Sequence, residues 1–141
     1  EGEKIRARRE HLEGVVKRYP NEPEHHYSLG EFYWEQSEVD NALKEFQQAS
    51  STPRFRRTAL MYIGHCMLAK DMYDLAIEQF ETVLNELSEK MDNNRKDVVY
   101  NLAWTYEQKG DLDTAGKYYK EIYKVDASYR DVSEKLEQFY Q

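Results

Sequence analysis

Apolar residues recur at helical spacing along almost the whole chain, and no stretch of any length alternates with the two-residue period of a strand. Ile5, Leu12, Val15, Val16 and Tyr19 form one stripe, which predicts a helix over about residues 3–19 that Pro20 stops. Two helices are expected next, over about 23–36 and 39–49. Pro23 suits a first helical turn, and Thr52-Pro53 closes the pair. A second pair covers about 54–70 and 73–91; its second helix reads as overlong and ends at Asp92-Asn93-Asn94, a turn-forming run. A third pair covers about 95–109 and 112–124, with Gly110-Asp111 between its helices. The last helix runs over about 129–140, with Val132, Leu136, Phe139 and Tyr140 on its apolar side.

The pairs share their internal offsets. In the middle pair Gly64 interrupts a helical pattern, where glycine normally costs stability, so a close backbone approach is expected there. Ala76 and Phe80, one turn apart, place small against large. Gly30, Ala42 and Phe46 each stand 34 residues before Gly64, Ala76 and Phe80. Ala103, Ala115 and Tyr119 stand 39 residues after them, the extra five matching the long helix and turn around 86–95.

The period and the residues together resemble the tetratricopeptide repeat, a helix–turn–helix unit of about 34 residues. Its pattern is a large residue, Leu-Gly and Tyr on the first helix, then Ala and Phe on the second. The units read His26, Leu29-Gly30, Tyr33, Ala42, Phe46; then Leu60, Ile63-Gly64, Met67, Ala76, Phe80; then Val99, Leu102-Ala103, Tyr106, Ala115, Tyr119. Departures are the missing Trp at the first position, Ala103 for Gly, Met67 for Tyr and a displaced closing proline. The resemblance implies an all-α, right-handed superhelical stack of antiparallel helix pairs. As a single domain over 1–141 it divides into an N-terminal helix like half a repeat (3–20), repeats at 23–56, 57–95 and 96–128, and a capping helix (129–141). Leu12, Val15 and Pro20 sit where the second helix of an earlier unit would place them. The last segment looks like the cap of bacterial members, its Glu134, Lys135, Glu137 and Gln138 giving the polar outer face that a terminal unit needs.

A second stripe on each first helix points over a hundred degrees away from the packing stripe. It holds Glu24, Tyr27, Glu31 and Trp34; then Thr58, Met61, His65 and Leu68; then Asp97, Tyr100, Trp104 and Glu107. Both tryptophans lie on it, where an ordinary two-sided helix is polar. In the family these positions line a concave groove for a peptide or partner helix. The resemblance therefore implies partner contacts at Tyr27, Glu31, Trp34, Met61, His65, Leu68, Tyr100, Trp104 and Glu107. Aromatic and Met side chains are frequent interface anchors, and the acidic neighbours favour a ligand carrying Lys or Arg beside apolar anchors. The competing reading is that these side chains fill space between neighbouring first helices and that the carboxylates are solvated surface. One subclass of the family grips C-terminal carboxylates with Lys and Asn; Tyr27, Glu31 and Asp97 stand there instead, so no such clamp is expected.

Charge and composition narrow the partner. The net charge of -7 repels phosphate backbones, so nucleic acid is a poor partner. No apolar run is long enough to span a bilayer. The single Cys66 excludes an internal disulfide and leans toward a reducing, cytoplasmic compartment. The start at Glu1 rather than Met reads as an excised piece.

Other chemistry has little to stand on. His25 and His26 are adjacent and His11 and His65 distant, so no pair has the i, i+4 spacing of a helical metal site. Cys66 fits a buried apolar role better than a nucleophile's. No phosphate-cradling glycine loop and no distinct carboxylate pair are present. The basic residues Lys4, Arg6, Arg8 and Arg9 suit a solvated face better than an anion site, and Arg54, Arg56 and Arg57 suit intramolecular pairing. The expected function is thus a non-enzymatic protein–protein interaction scaffold without cofactor or metal. Alternatives are a solenoid segment for spacing or self-association through its terminal helices, and an accessory domain of a larger protein.

Overall fold

A computed structural model describes residues 1–140, and among them eight α-helices and no strand. They are α1 (Glu3–Arg18), α2 (Pro23–Glu35), α3 (Val39–Ala49), α4 (Pro53–Ala69), α5 (Tyr73–Glu86), α6 (Asn93–Lys109), α7 (Leu112–Tyr123) and α8 (Val132–Phe139). The chain forms two compact units, Glu1–Ala69 with α1–α4, and the remainder from Lys70 with α5–α8. The expected capping segment 129–141 runs one residue beyond those described.

In the first unit α2 packs on α3, and both on α4, while α1 packs on α2. Leu29, Phe32, Ala42, Phe46, Ala49, Ala59 and Leu60 are buried here. At Gly30 a side chain comes close, where the mid-helix glycine pattern led to the expectation of a backbone. A Cβ on Gly30 would come within 2.9 Å of Phe46 Cε1, so only glycine lets that ring reach α2. In the second unit α6 packs on α5 and α7, and α7 on α8. Val99, Ala103, Ala115, Tyr119, Ile122 and Val132 form its core, with Leu84, Met91, Leu136 and Phe139 against them.

The turns repeat as well as the helices. Ser37, Asp71 and Gly110 each precede a second helix with a left-handed backbone, at φ 62°, 58° and 95°. Asp92 and Asp111 cap α6 and α7, their carboxylates accepting from the Arg95 and Thr114 amides. The overlong helix expected to reach Met91 is not found: α5 ends at Glu86, and the extra residues lie in the connection 87–92. Leu87 is extended, Ser88 Oγ accepts the Lys90 amide, and the Ser88 carbonyl accepts from Arg95, so Ser88 holds a non-helical path through both its hydroxyl and its carbonyl. The last helix starts at Val132 rather than Tyr129, because Asp126 accepts from the amide and hydroxyl of Ser128 and Arg130 is left-handed, at φ 42°.

Candidate functional site

All nine side chains expected on the second stripe are half-buried, none fully covered and none fully exposed. In the first unit the next first helix, α4, approaches this stripe of α2. Tyr27 stacks on Phe55 with centroids 5.0 Å apart and meets Phe46 and Tyr62 edge-on. Trp34 meets Tyr62 edge-on at 6.2 Å and lies 6.4 Å from the His65 ring. Met61 and Leu68 share α4 with His65, all partly covered.

The organising residue of this face is Tyr62, absent from the expected set. Its ring lies flat on Phe46, 4.3 Å away and 5° from parallel, and its hydroxyl donates to Glu31 at 3.2 Å. Burial first, and the nearby Glu31 carboxylate second, push its hydroxyl up to about 12, so it stays protonated and donates at neutral pH. Tyr62 stands on the outer flank of the second stripe, next to Thr58 and far from the packing stripe, so periodicity alone assigned it to neither.

In the second unit the equivalent stripe of α6 is engaged by the segment leading into α8. Tyr100 donates to Asp131 at 2.5 Å and lies edge-on to Tyr119 and Tyr129, while the Arg130 guanidinium sits 4.7 Å above its ring. Burial, then that carboxylate, push the Tyr100 hydroxyl up to about 12. Asp97 accepts from Tyr129 and Arg130. Glu107 accepts from Tyr119 at 2.8 Å and from Lys135 at 2.9 Å. Tyr100 and Glu107 therefore hold the chain's own terminal segment, while Trp104 stays half-buried. Contacts with neighbouring helices thus account for much of Tyr27, Tyr100 and Glu107, and Trp34 too rests on the rings of Tyr62 and His65.

The basic cluster of α1 is not a plainly solvated face. Arg8 and Arg9 lie 5.2 and 5.1 Å over the Phe32 ring. Arg8 pairs with Glu35 at 2.8 Å, and Arg9 with Glu38 at 2.5 Å and Glu1 at 2.6 Å. The hydrogen bond from Arg9 holds the Glu38 carboxyl below the ordinary carboxylate range. Arg54 lies 5.0 Å over Phe55. His26 stands where the family pattern has its large first residue and is buried. Its Nε2 donates to the Pro20 carbonyl at 2.6 Å, and its Nδ1 lies 2.7 Å from Glu45. Glu22, Glu24 and His25 bring possible ligand atoms within 4.8 Å of one another at the exposed start of α2; His25 and Glu22 already pair at 3.0 Å.

Two family models described as tetratricopeptide repeat match this sequence, one over residues 3–54 and one over 97–129. They fall on the helices whose glycine, alanine and aromatic positions interlock. The chain belongs to the tetratricopeptide-repeat family. Its sequence is 26% identical over 106 residues to Protein bimA of Emericella nidulans, and it spans only 12% of that protein's length. In structure it is similar to MamA, with a TM-score of 0.78 and 19% identity, over 96% of this chain and 74% of that one. It is also similar to the Yersinia enterocolitica type III secretion chaperone SycD, solved in complex with a peptide of the translocator YopD. There the TM-score is 0.68 and the identity 24%, over 82% of this chain and 90% of that one. These likenesses show the solenoid fold of the family. No helix among the described residues is long and apolar enough to cross a membrane.

Proposed function

We propose that this protein is a non-enzymatic interaction scaffold, and that the face of α2 and α4 around Trp34 takes a peptide or helical segment bearing Lys or Arg beside apolar anchors. The observation that carries the reading is Trp34. It is held by Tyr62 and His65 yet remains half-buried, with Glu31 and Glu35 one turn and one residue away on the same helix. A positioned, partly open indole beside carboxylates suits a cationic, apolar ligand, because ring contact supplies area and the carboxylates set orientation. Met61, His65 and Leu68 of α4 extend that face. In the second unit Trp104 is the residue offered to a ligand, whereas Tyr100 and Glu107 support it by holding the terminal segment. A structural neighbour solved with a bound peptide uses the same fold, which agrees with this assignment.

The test is a fluorescence titration with two sets of synthetic amphipathic peptides, one carrying Lys and Arg around Leu anchors and the other Glu and Asp. Trp104→Phe isolates the Trp34 signal. The basic set should shift Trp34 emission and bind at least tenfold more tightly than the acidic set, and Trp34→Ala, read by the anisotropy of a dye-labelled basic peptide, should abolish binding while keeping the helical spectrum. Equal binding of both sets, or full affinity in Trp34→Ala, would refute the assignment.

A further inference from the structure

In the second unit two tyrosines form a cradle around a cation. The Tyr100 and Tyr129 rings meet at 62° with centroids 6.0 Å apart, and the Arg130 guanidinium lies 4.7 and 5.2 Å from them. Carboxylates fix both rings: Tyr100 donates to Asp131 at 2.5 Å, and Tyr129 donates to Asp97. Burial first, and these carboxylates next, raise both hydroxyls, so the rings stay neutral and keep their bonds at neutral pH. Lys96 lies 5.9 Å from the Tyr129 ring and pairs with Asp126 at 3.1 Å. The segment 126–131 is therefore tied to α6 by three polar contacts, and the Arg130 side chain makes none of them.

The cradle is firmly built, but its occupant is loosely held. Arg130 reaches Asp97 at 3.3 Å, beyond the usual range of such a bond, and its side chain is 47% exposed. Arg9, the cation over Phe32, makes contacts of 2.5 and 2.6 Å and is 22% exposed. Arg130 also has a left-handed backbone, at φ 42°, which glycine adopts more readily than arginine.

We propose that the cradle of Tyr100, Tyr129 and Asp97 is a binding site for an arginine side chain of a partner peptide, and that Arg130 is its internal stand-in, displaced as the ligand enters. The occupant identifies the ligand class. A planar guanidinium lies against aromatic faces and still donates to a carboxylate at their edge. When Arg130 swings into solvent, Asp97 and Asp131 leave the cradle negative, and the three contacts to α6 keep the segment in place. One guanidinium then replaces another with charge and contacts conserved. The internal occupant lowers the apparent affinity by the fraction of time for which the cradle is free. The inference concerns the second unit alone and does not rest on Trp34.

Nuclear magnetic resonance of the whole 141-residue chain tests this, with the ring protons of Tyr100 and Tyr129 as the readout. The probe is N-acetyl-arginine amide, and N-acetyl-citrulline amide is its uncharged counterpart of the same shape. Arg130→Gly suits the left-handed backbone and empties the cradle. It should keep the helical spectrum and bind the arginine probe about fivefold or more tightly than the unaltered protein, while the citrulline probe gives no saturable shift. Adding Asp97→Asn, which keeps an acceptor for Tyr129, should remove that gain. Trp34→Ala should leave the binding unchanged, so failure here and failure of the Trp34 assignment are read separately. Loss of the fold in Arg130→Gly would make Arg130 a structural clamp and overturn the proposal. So would an affinity no higher than that of the unaltered protein, equal binding of the two probes, full affinity in the Asp97→Asn double variant, or loss of binding in Trp34→Ala.

Discussion

Gly30 and Phe46 lie so close that a methyl group added at the glycine would stand 2.9 to 3.1 Å from three carbons of the ring. Phe46 is fully buried and stacked on Tyr62, so the ring has nowhere to retreat. Overpacking of this kind costs roughly 1–3 kcal/mol, against about 1 kcal/mol gained from replacing a mid-helix glycine by alanine. Gly30→Ala should therefore lower unfolding stability by up to about 2 kcal/mol, the reverse of the usual effect in a helix. Chemical denaturation followed by circular dichroism would measure it. A stabilised Gly30→Ala protein would mean that α2 and α3 are further apart than described.

Glu107 satisfies a fully buried Tyr119 and the partly buried Lys135 together. Removing the acceptor strands the Tyr119 hydroxyl, and an unpaired buried polar group costs about 1–3 kcal/mol. Glu107→Ala should lose stability in that range, while Glu107→Gln, which keeps an acceptor, should lose less. Lys135→Ala, which leaves Tyr119 paired, should also cost less than Glu107→Ala. Urea unfolding of the three variants would rank them. If Glu107→Ala is neutral, this carboxylate does not hold the terminal segment.

Ser37 adopts the left-handed backbone that Gly110 adopts at the corresponding turn of the third repeat. A non-glycine residue there bears about 1 kcal/mol or more of steric cost, partly offset by the greater flexibility of glycine in the unfolded chain. Ser37→Gly should stabilise the protein by up to about 1 kcal/mol, whereas Gly110→Ala should destabilise it by a similar amount. Thermal melts of the two variants should move in opposite directions.

Acid and alkali should act on different residues. The Glu38 carboxyl is lowered from 4.5 by its bond from Arg9, so the stability it contributes is complete above 4.5 and disappears as pH falls through its lowered value. The Tyr100 hydroxyl is raised from 10.0 to about 12, so its contribution is complete below 10.0 and disappears as pH rises toward about 12. Glu38→Gln should flatten the acid limb of the stability profile and leave the alkaline limb alone. Tyr100→Phe should do the converse, and tyrosinate absorbance would follow the alkaline transition. An unchanged alkaline limb in Tyr100→Phe would remove that residue from the account.

Helix content and the 34-residue recurrence of Gly30, Ala42 and Phe46 could be read from the sequence, because helical period and residue spacing are local properties of the chain; that the Phe46 ring, and not a backbone, closes on Gly30 could not. The partners of the polar and aromatic atoms could not be read in this way. Tyr62 binds Glu31, Tyr100 binds Asp131, and Tyr119 and Lys135 share Glu107 across 12 to 31 residues of chain. The second stripe was visible as a pattern, but Tyr62 and the segment around Arg130 decided how far it is covered. A periodic pattern fixes the side of a helix on which a residue stands. Only the packing of neighbouring helices fixes what meets it there: Tyr100 and Glu107 meet Asp131 and Lys135, and Trp34 meets the rings of Tyr62 and His65.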